Sequence, residues 1–387
     1  MATDPHRRSA PLLRPRVSVV VRSYNRLPML AELLVALLAQ DHDSFEIVVV
    51  EQSTERAPAD LARIDAIATD PRIRILRSAP LGGPGARNAG VRAAHGDLFV
   101  FIDDDDLPAT RDWLRLHEAN LADPRCLGCT GQFVGEDGTA APYGNMERAR
   151  RDVLSFNPVL KWQRVFARVD ERKRVESLMG GNAAIPRRTL ERFGLWDECT
   201  PIEDEPSLAY RIHAGKEADE YLLFDPAPKM IRRLDAPGGM AKRSLTGPAL
   251  MHRTFTFHHN IIGHYFPLRF LLLYPIYYVF VGYHVTEWIC SDSRRHTTLT
   301  RRVLALAMLY VVFHPLWFAW LGAWTYRRLR HGPPLRYAPL TPLTPTMPTM
   351  PFAAPATRAD ATPHPVAPAR SGGMRAPHPV DAQLAEL

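Results

Sequence analysis

Phe99-Val100-Phe101-Ile102-Asp103-Asp104-Asp105-Asp106 decides how this chain is read. A run of apolar, β-favouring residues stops abruptly at four carboxylates. Such a run is the pattern of a strand buried on both faces. Four anionic side chains at its carboxyl end repel one another and raise one another's pKa. A hard divalent cation relieves that cost, and carboxylate oxygens suit Mg²⁺ or Mn²⁺. The competing reading is a solvated acidic turn. An EF-hand calcium loop does not fit, because Pro108 stands where its turn glycine belongs and Leu114 where its bidentate glutamate belongs.

Outward from this run, strands alternate with helices. Val17–Val21 reads as a buried strand. After the turn Ser23-Tyr24-Asn25-Arg26, Pro28 opens a helix with Leu30, Leu33, Leu34, Leu37 and Leu38 at helical spacing. Phe45–Val50 is a second strand, Leu61–Ile67 a helix, Ile73–Leu76 a short strand and Gly85–Ala94 a helix; Leu98–Ile102 is the fourth strand. This alternation predicts an α/β fold whose mostly parallel sheet is flanked by helices. Ligands of such sheets bind at the carboxyl ends of strands. Tyr24, Glu51-Gln52 and the aspartates all fall at such ends, which groups them into one expected site.

The segment Gln132 to Asp225 is mixed. It holds a turn entering a strand, Gly180-Gly181-Asn182-Ala183-Ala184-Ile185, then Trp196-Asp197-Glu198. The acidic segment Ile202-Glu203-Asp204-Glu205 opens a helix through Arg211. Acidic residues favour a helix start in any case.

Composition narrows the classes further. The chain has 387 residues, room for two domains or one large domain with extensions. Its net charge of +7 favours anionic partners such as phosphates or an acidic membrane surface. No nucleic-acid motif is present, so no nucleic acid is expected. Four cysteines make no disulfide framework, and Cys126-Leu127-Gly128-Cys129 reads as buried thiols. Met1–Arg16 lacks the apolar stretch of a signal peptide, so the catalytic part is expected in the cytoplasm. Gly82-Gly83-Pro84-Gly85-Ala86-Arg87-Asn88-Ala89-Gly90 lacks the Gly-Lys-Ser/Thr of a Walker loop. Asn88 also replaces the third glycine of a dinucleotide fingerprint. The segment reads as a flexible turn whose helix N-terminus can face an anion.

The carboxyl-terminal part changes character. Phe270–Ile289 and Val303–Trp324 are each long enough for a hydrocarbon core about 30 Å thick. Arg294, Arg295, Arg301 and Arg302 lie between them, which conflicts with two full crossings under the positive-inside rule. A single span, a re-entrant hairpin or an in-plane helix pair removes the conflict. A pair of buried core helices is the competing reading. The expected organisation is a flexible segment at 1–15, an α/β domain at 16–260, membrane-associated helices at 261–330 and a Pro/Ala/Thr-rich disordered tail at 331–387.

Five motifs in order resemble glycosyltransferase family 2: Val-Ser-Val-Val-Val-Arg-Ser-Tyr-Asn-Arg, Phe-Glu-Ile-Val-Val-Val, Gly-Ala-Arg-Asn-Ala-Gly, Gly-Asp-Leu-Phe-Val-Phe-Ile-Asp-Asp-Asp-Asp and Glu203-Asp204. The resemblance implies a GT-A fold, a nucleotide-sugar donor and inversion at the anomeric carbon. It implies that Asp103 and Asp105 form the DXD-type motif, holding Mg²⁺ or Mn²⁺ on the donor diphosphate. Arg22, Tyr24, Glu51, Gln52, Arg87 and Asp104 are the implied donor-binding residues. Glu51-Gln52 replaces the family's usual Asp-Asp, and a glutamine carries the donor and acceptor needed to read a pyrimidine. Asp204 is the implied catalytic base, with Trp196, Asp197 and Glu203 on the acceptor side. Lys242 and Arg243 are candidates to hold a lipid-linked pyrophosphate. The Gln-x-x-Arg-Trp motif of processive synthases is absent, so one sugar per encounter is expected.

The reading is therefore a single-sugar transferase at the cytoplasmic face of the inner membrane, serving a glycan or lipid-linked acceptor of surface polysaccharide or glycolipid synthesis. A sugar-phosphate nucleotidyltransferase would want a Gly-rich basic loop where Arg22–Arg26 stands. A degenerate sugar-nucleotide-binding or membrane scaffold protein is the other alternative, with Gln52 in its favour.

Overall fold

The computed structural model describes residues 16–136, 154–159, 161, 163–164, 171–198, 204–233, 236, 257–277 and 314–331. The expected 1–15 segment, Glu203, Lys242, Arg243, the stretch 278–313 and everything after His331 lie outside these residues.

The first half alternates as the sequence predicts. It runs β1 (Val17–Ser23), α1 (Leu27–Leu38), β2 (Phe45–Glu51), α2 (Pro58–Ile67), β3 (Ile73–Arg77), α3 (Gly82–Ala93) and β4 (Leu98–Asp103). β5 (Asp106–Pro108), α4 (Trp113–Asn120), β6 (Cys126–Thr130) and β7 (Phe133–Val134) follow, then the short β8 (Ser155–Phe156), β9 (Gln163–Arg164) and β10 (Lys173–Val175). β11 (Asn182–Pro186), α5 (Arg187–Phe193), α6 (Asp204–Gly215), β12 (Tyr221–Phe224) and β13 (Met230–Arg232) complete the α/β part.

Eight strands form one sheet in the order β10-β12-β6-β11-β4-β1-β2-β3. β1 to β4 pair in parallel, and the valines of β1 and β2 are buried throughout. β11 runs antiparallel between β4 and β6, so the sheet is mixed. This is the helix-flanked, mostly parallel sheet that the alternation of strands and helices predicts. α1 buries Leu30, Leu33, Leu34 and Leu37, each a contribution of about 1.5–3 kcal/mol from side-chain burial.

α3 begins earlier than the sequence suggested. Gly82 takes φ +75°, and the helix already includes Gly83 and Pro84, so the glycine-rich stretch is a helix turn more than a loop. Gly90 permits close packing: a Cβ there would lie 2.4 Å from Val20 Cγ1. Cys126 and Cys129 are buried free thiols on β6, and burial pushes Cys126 up to about 11.

A second sheet has the order β5-β13-β7, and its first strand begins three residues after β4 ends. Its register sets Arg232 opposite Asp106 across 126 residues of chain. Two further helical segments, α7 (Pro267–Leu272) and α8 (His314–His331), pack through a cluster containing Phe270, Tyr274, Tyr277, Trp317 and Trp324. Among the described residues no helix is long and apolar enough to cross a membrane.

Candidate active site

The carboxyl ends of β1, β2 and β4 meet because those strands are parallel neighbours. Arg22 is the register partner of Asp103, and Ser23 of Glu51. Apolar residues anchor each strand below, and the polar residues begin where the sheet reaches its edge.

Three arginines pair closely with the four aspartates. Arg22 holds Asp103 in a bidentate pair at 2.6 and 2.7 Å. Arg26 reaches Asp105 Oδ2 at 2.5 Å and also pairs with Asp104 Oδ1. Arg232 holds Asp106 at 3.0 and 2.7 Å and lies 3.8 Å over the Phe133 ring. Arg87 adds a longer contact, 3.7 Å from Asp103 Oδ1. Bidentate pairs of this kind are strong because the planar guanidinium matches the carboxylate fork.

These pairings split the carboxylates electrostatically. Burial acts to raise Asp103, but Arg22, Arg87 and Arg232 outweigh it and hold its carboxyl well below the usual range. Burial pushes Asp104 up to about 6 and Asp106 up to about 7, in both cases against an arginine. One oxygen from each of Asp103, Asp105 and Asp106 lies within 4.8 Å of the others, a spacing able to hold a metal ion. Asp106 thus joins the two aspartates of the expected DXD pair.

Asp104 turns the other way. Its Oδ2 accepts from the Ser23 hydroxyl at 2.8 Å and from the Tyr24 backbone N–H at 3.2 Å. The buried carboxylate therefore braces the turn that carries Tyr24, whose side chain is left 47% exposed. Asn25 reinforces the turn at φ +54°, accepting from the Thr54 and Glu55 backbone N–H groups. Glu51 is fully buried, accepting from the Ser53 N–H and from Arg56. Gln52 is also buried, and its Oε1 accepts from the Leu81 N–H at 2.7 Å. Glu51 thus braces its own loop, and Gln52 ties that loop to the start of α3.

Trp196 and Asp197 lie inside the protein, 0% exposed. The Trp196 ring packs edge-on against Phe101, and Arg87 stacks 4.9 Å from it. Asn88 locks its backbone, donating to Trp196 O and accepting from Trp196 N, both at 2.9 Å. Asp197 accepts from Ser207 at 3.0 Å. Of the two positions open to Trp196, a cleft wall and the core, the structure shows the core, where Arg87 and Asn88 clamp its ring and its backbone. Asp204 begins α6, and its side chain, like all of Glu203, falls outside the described residues.

The structure also brings in residues that the sequence did not single out. Glu205 lies 3.8 Å from Arg87, which joins the start of α6 to the aspartates. A Cβ on Gly180 would meet Glu205 Oε1 at 2.6 Å and Arg87 Nη2 at 2.7 Å, so this glycine lets the link form. Arg26 was legible in the turn motif, four residues past Arg22. Arg232 carried no local signal at all, since only the β5–β13 pairing delivers it.

Comparison with known proteins finds similarity to glycosyltransferases. The model of the family "Glycosyl transferase family 2" matches residues 18–193. The chain is similar to the uncharacterized glycosyltransferase EpsJ of Bacillus subtilis (strain 168), 36% identical over 116 residues, 30% of this chain and 33% of that protein. It is 38% identical over 94 residues to the succinoglycan biosynthesis protein ExoO of Rhizobium meliloti (strain 1021), 24% of this chain and 26% of that one. The chain thus matches about a third or less of the length of these relatives. The mannosyltransferase PcManGT from Pyrobaculum calidifontis, solved with GDP-Man and Mn²⁺, aligns over 82% of this chain and 87% of its own, at 20% identity and a TM-score of 0.47.

Proposed function

We propose, from the match of residues 18–193 to the model of glycosyl transferase family 2, that the chain is an inverting, metal-dependent glycosyltransferase. It moves one sugar, a hexose or deoxyhexose, from a nucleotide donor to a glycan or lipid-linked acceptor. Surface polysaccharide or glycolipid synthesis is its proposed setting, in keeping with the relative named for succinoglycan biosynthesis.

The observation that carries the proposal is the Asp103, Asp105 and Asp106 trio ringed by Arg22, Arg26, Arg87 and Arg232. Three hard oxygen donors fit a divalent cation, Mg²⁺ or Mn²⁺. Held there, such a cation would supply positive charge to the departing diphosphate. The arginines suit the same diphosphate, because guanidinium recognises phosphate as it does carboxylate. Tyr24, the exposed ring at the site, is placed to stack on the donor base.

In the proposed step, an acceptor hydroxyl oxygen attacks the anomeric carbon as the sugar–phosphate bond breaks. The bonding pair leaves with the nucleoside diphosphate, and Asp204 takes the hydroxyl proton. A single displacement of this kind inverts configuration. Asp105→Asn and Asp204→Asn, assayed for donor hydrolysis and transfer with and without EDTA, test the roles. Loss of turnover in both, and EDTA sensitivity in the wild type, are expected; unchanged turnover in both variants rejects the assignment. A degenerate binding protein would instead bind donors in thermal-shift screens with no turnover across a broad panel.

A further inference from the structure

We infer that the outer face of α7 and α8 is a docking surface for an anionic lipid bilayer, lying in its plane. The inference is independent of the transfer chemistry, and it gives a physical basis to the membrane location expected from the sequence.

Both helices are apolar on two sides. Their inner side is already spent on the aromatic cluster, where Phe270 and Trp317 pack 5.4 and 5.1 Å from the buried His259 ring. Past Leu272 the chain is helical again from Tyr274 to Tyr277. Phe270, Tyr274 and Tyr277 point inward, while Leu268, Leu271, Leu272 and Ile276 repeat at helical spacing on the opposite side. Leu268 and Leu272 are each 71% exposed, and Leu329 of α8 is 84% exposed. Of the twelve large hydrophobic side chains exposed among the described residues, eight fall on these two stretches. A water-facing helix keeps its second side polar; one that is apolar all round is covered by protein or by lipid.

Charge chooses between those covers. Neither 257–277 nor 314–331 contains an aspartate or a glutamate, whereas Arg269, Arg327 and Arg330 are all exposed. Arg327 and Arg330 lie 5.8 Å from the Trp320 and Tyr326 rings respectively, an aromatic and basic border of the kind found at the headgroup level. Two copies of this face would oppose arginine to arginine, while anionic headgroups complement it. An exposed apolar side bordered by arginines and aromatic rings fits an in-plane arrangement, apolar side down.

The surface is mechanically joined to the candidate site. Tyr210, on the helix that Asp204 begins, packs against Phe156, Tyr265 and Phe266 at ring distances of 4.5, 5.4 and 5.1 Å. One turn earlier the Ser207 hydroxyl meets both Asp197 and the Tyr265 hydroxyl, at 3.0 and 3.1 Å. A bilayer bound to α7 and α8 is thereby held at a fixed relation to α6.

The test is flotation of the purified full chain with vesicles, read without any activity assay. Vesicles of phosphatidylcholine with about 30% phosphatidylglycerol are compared with pure phosphatidylcholine. Expected is flotation favouring the anionic vesicles, with that preference lost in Arg327→Gln/Arg330→Gln. Leu268→Glu/Leu272→Glu is expected to lower partitioning about a hundredfold. Because both leucines face outward, its melting temperature should match the wild type's. Three results overturn the inference: wild type that does not float, a leucine variant that floats undiminished, or a self-association in sedimentation that the leucine variant abolishes without vesicles.

Discussion

Arg22 and Asp103 are register partners on adjacent parallel strands, and their side chains close a bidentate ion pair at 2.6 and 2.7 Å. The backbone of the sheet therefore presets the geometry of the candidate site's first carboxylate. Asp103 is held ionised by that neighbour in spite of burial.

Arg22→Gln should expose this dependence. It leaves Asp103 with Arg87 at 3.7 Å as the nearest remaining cation. Breaking one partner of a buried pair costs about 3 kcal/mol, since the other charge stays desolvated. Urea denaturation in EDTA should show that loss. If a divalent ion binds the trio, Mn²⁺ should stabilise the variant more than the wild type, because it supplies the missing positive charge.

Two glycines of α3 should separate packing from site geometry. A Cβ at Gly90 would meet Val20 Cγ1 at 2.4 Å in the core. Gly90→Ala should therefore destabilise by about 2 kcal/mol through overpacking. A Cβ at Gly83 would meet Arg22 Nη1 at 2.1 Å, the far end of a flexible side chain. Gly83→Ala should push Arg22 off Asp103 and so lower the unfolding midpoint in EDTA as Arg22→Gln does, a loss that Mn²⁺ offsets, whereas Mn²⁺ should not offset the loss in Gly90→Ala.

Much of this arrangement was legible because its signals are local. Apolar runs marked β1, β2 and β4, leucine spacing marked α1, and the aspartates follow β4 directly. The pairing of Arg232 with Asp106 was not legible, because it depends on a strand contact spanning 126 residues. Trp196 shows a second limit. An aromatic beside two carboxylates reads equally as a cleft wall or as core, and only the clamp by Arg87 and Asn88 from α3 decides it. Asn182 shows a third, since nothing in Gly180-Gly181-Asn182 announces that the asparagine is a hub.

That hub makes a strong stability prediction. Asn182 is fully buried, donating to Gln132 O at 3.2 Å and Pro228 O at 3.0 Å, while its Oδ1 faces Trp113 Nε1 at 3.1 Å and His117 Nε2 at 3.0 Å. Asn182→Ala strands several buried polar groups at once and should cost about 4 kcal/mol in urea denaturation. The β5-β13-β7 sheet is anchored through Gln132 and Pro228, so its amides should lose hydrogen-exchange protection before those of β1 and β2 do.

His117 carries the pH dependence. With the Asn182 amide committed to two carbonyls, its Oδ1 takes the His117 Nε2–H, leaving Nδ1 as an acceptor 3.4 Å from the Cys129 thiol. Burial pushes this imidazole down from 6.5 to about 4. Between those values the unfolded chain binds a proton that the folded protein refuses, so stability rises with pH. The contribution is fully present above the unfolded value and disappears as pH falls toward about 4. A shift of that size corresponds to about 3 kcal/mol. Asp104 and Asp106, raised by burial, contribute slopes of opposite sign over the same pH range. The informative quantity is therefore the difference between wild type and His117→Gln, measured by urea denaturation at several pH values. The variant should be the less stable protein near pH 7, where it loses a buried ring, and the gap should narrow steadily below the unfolded histidine's pKa. A gap that stays constant with pH would show that His117 is protonated in the folded core.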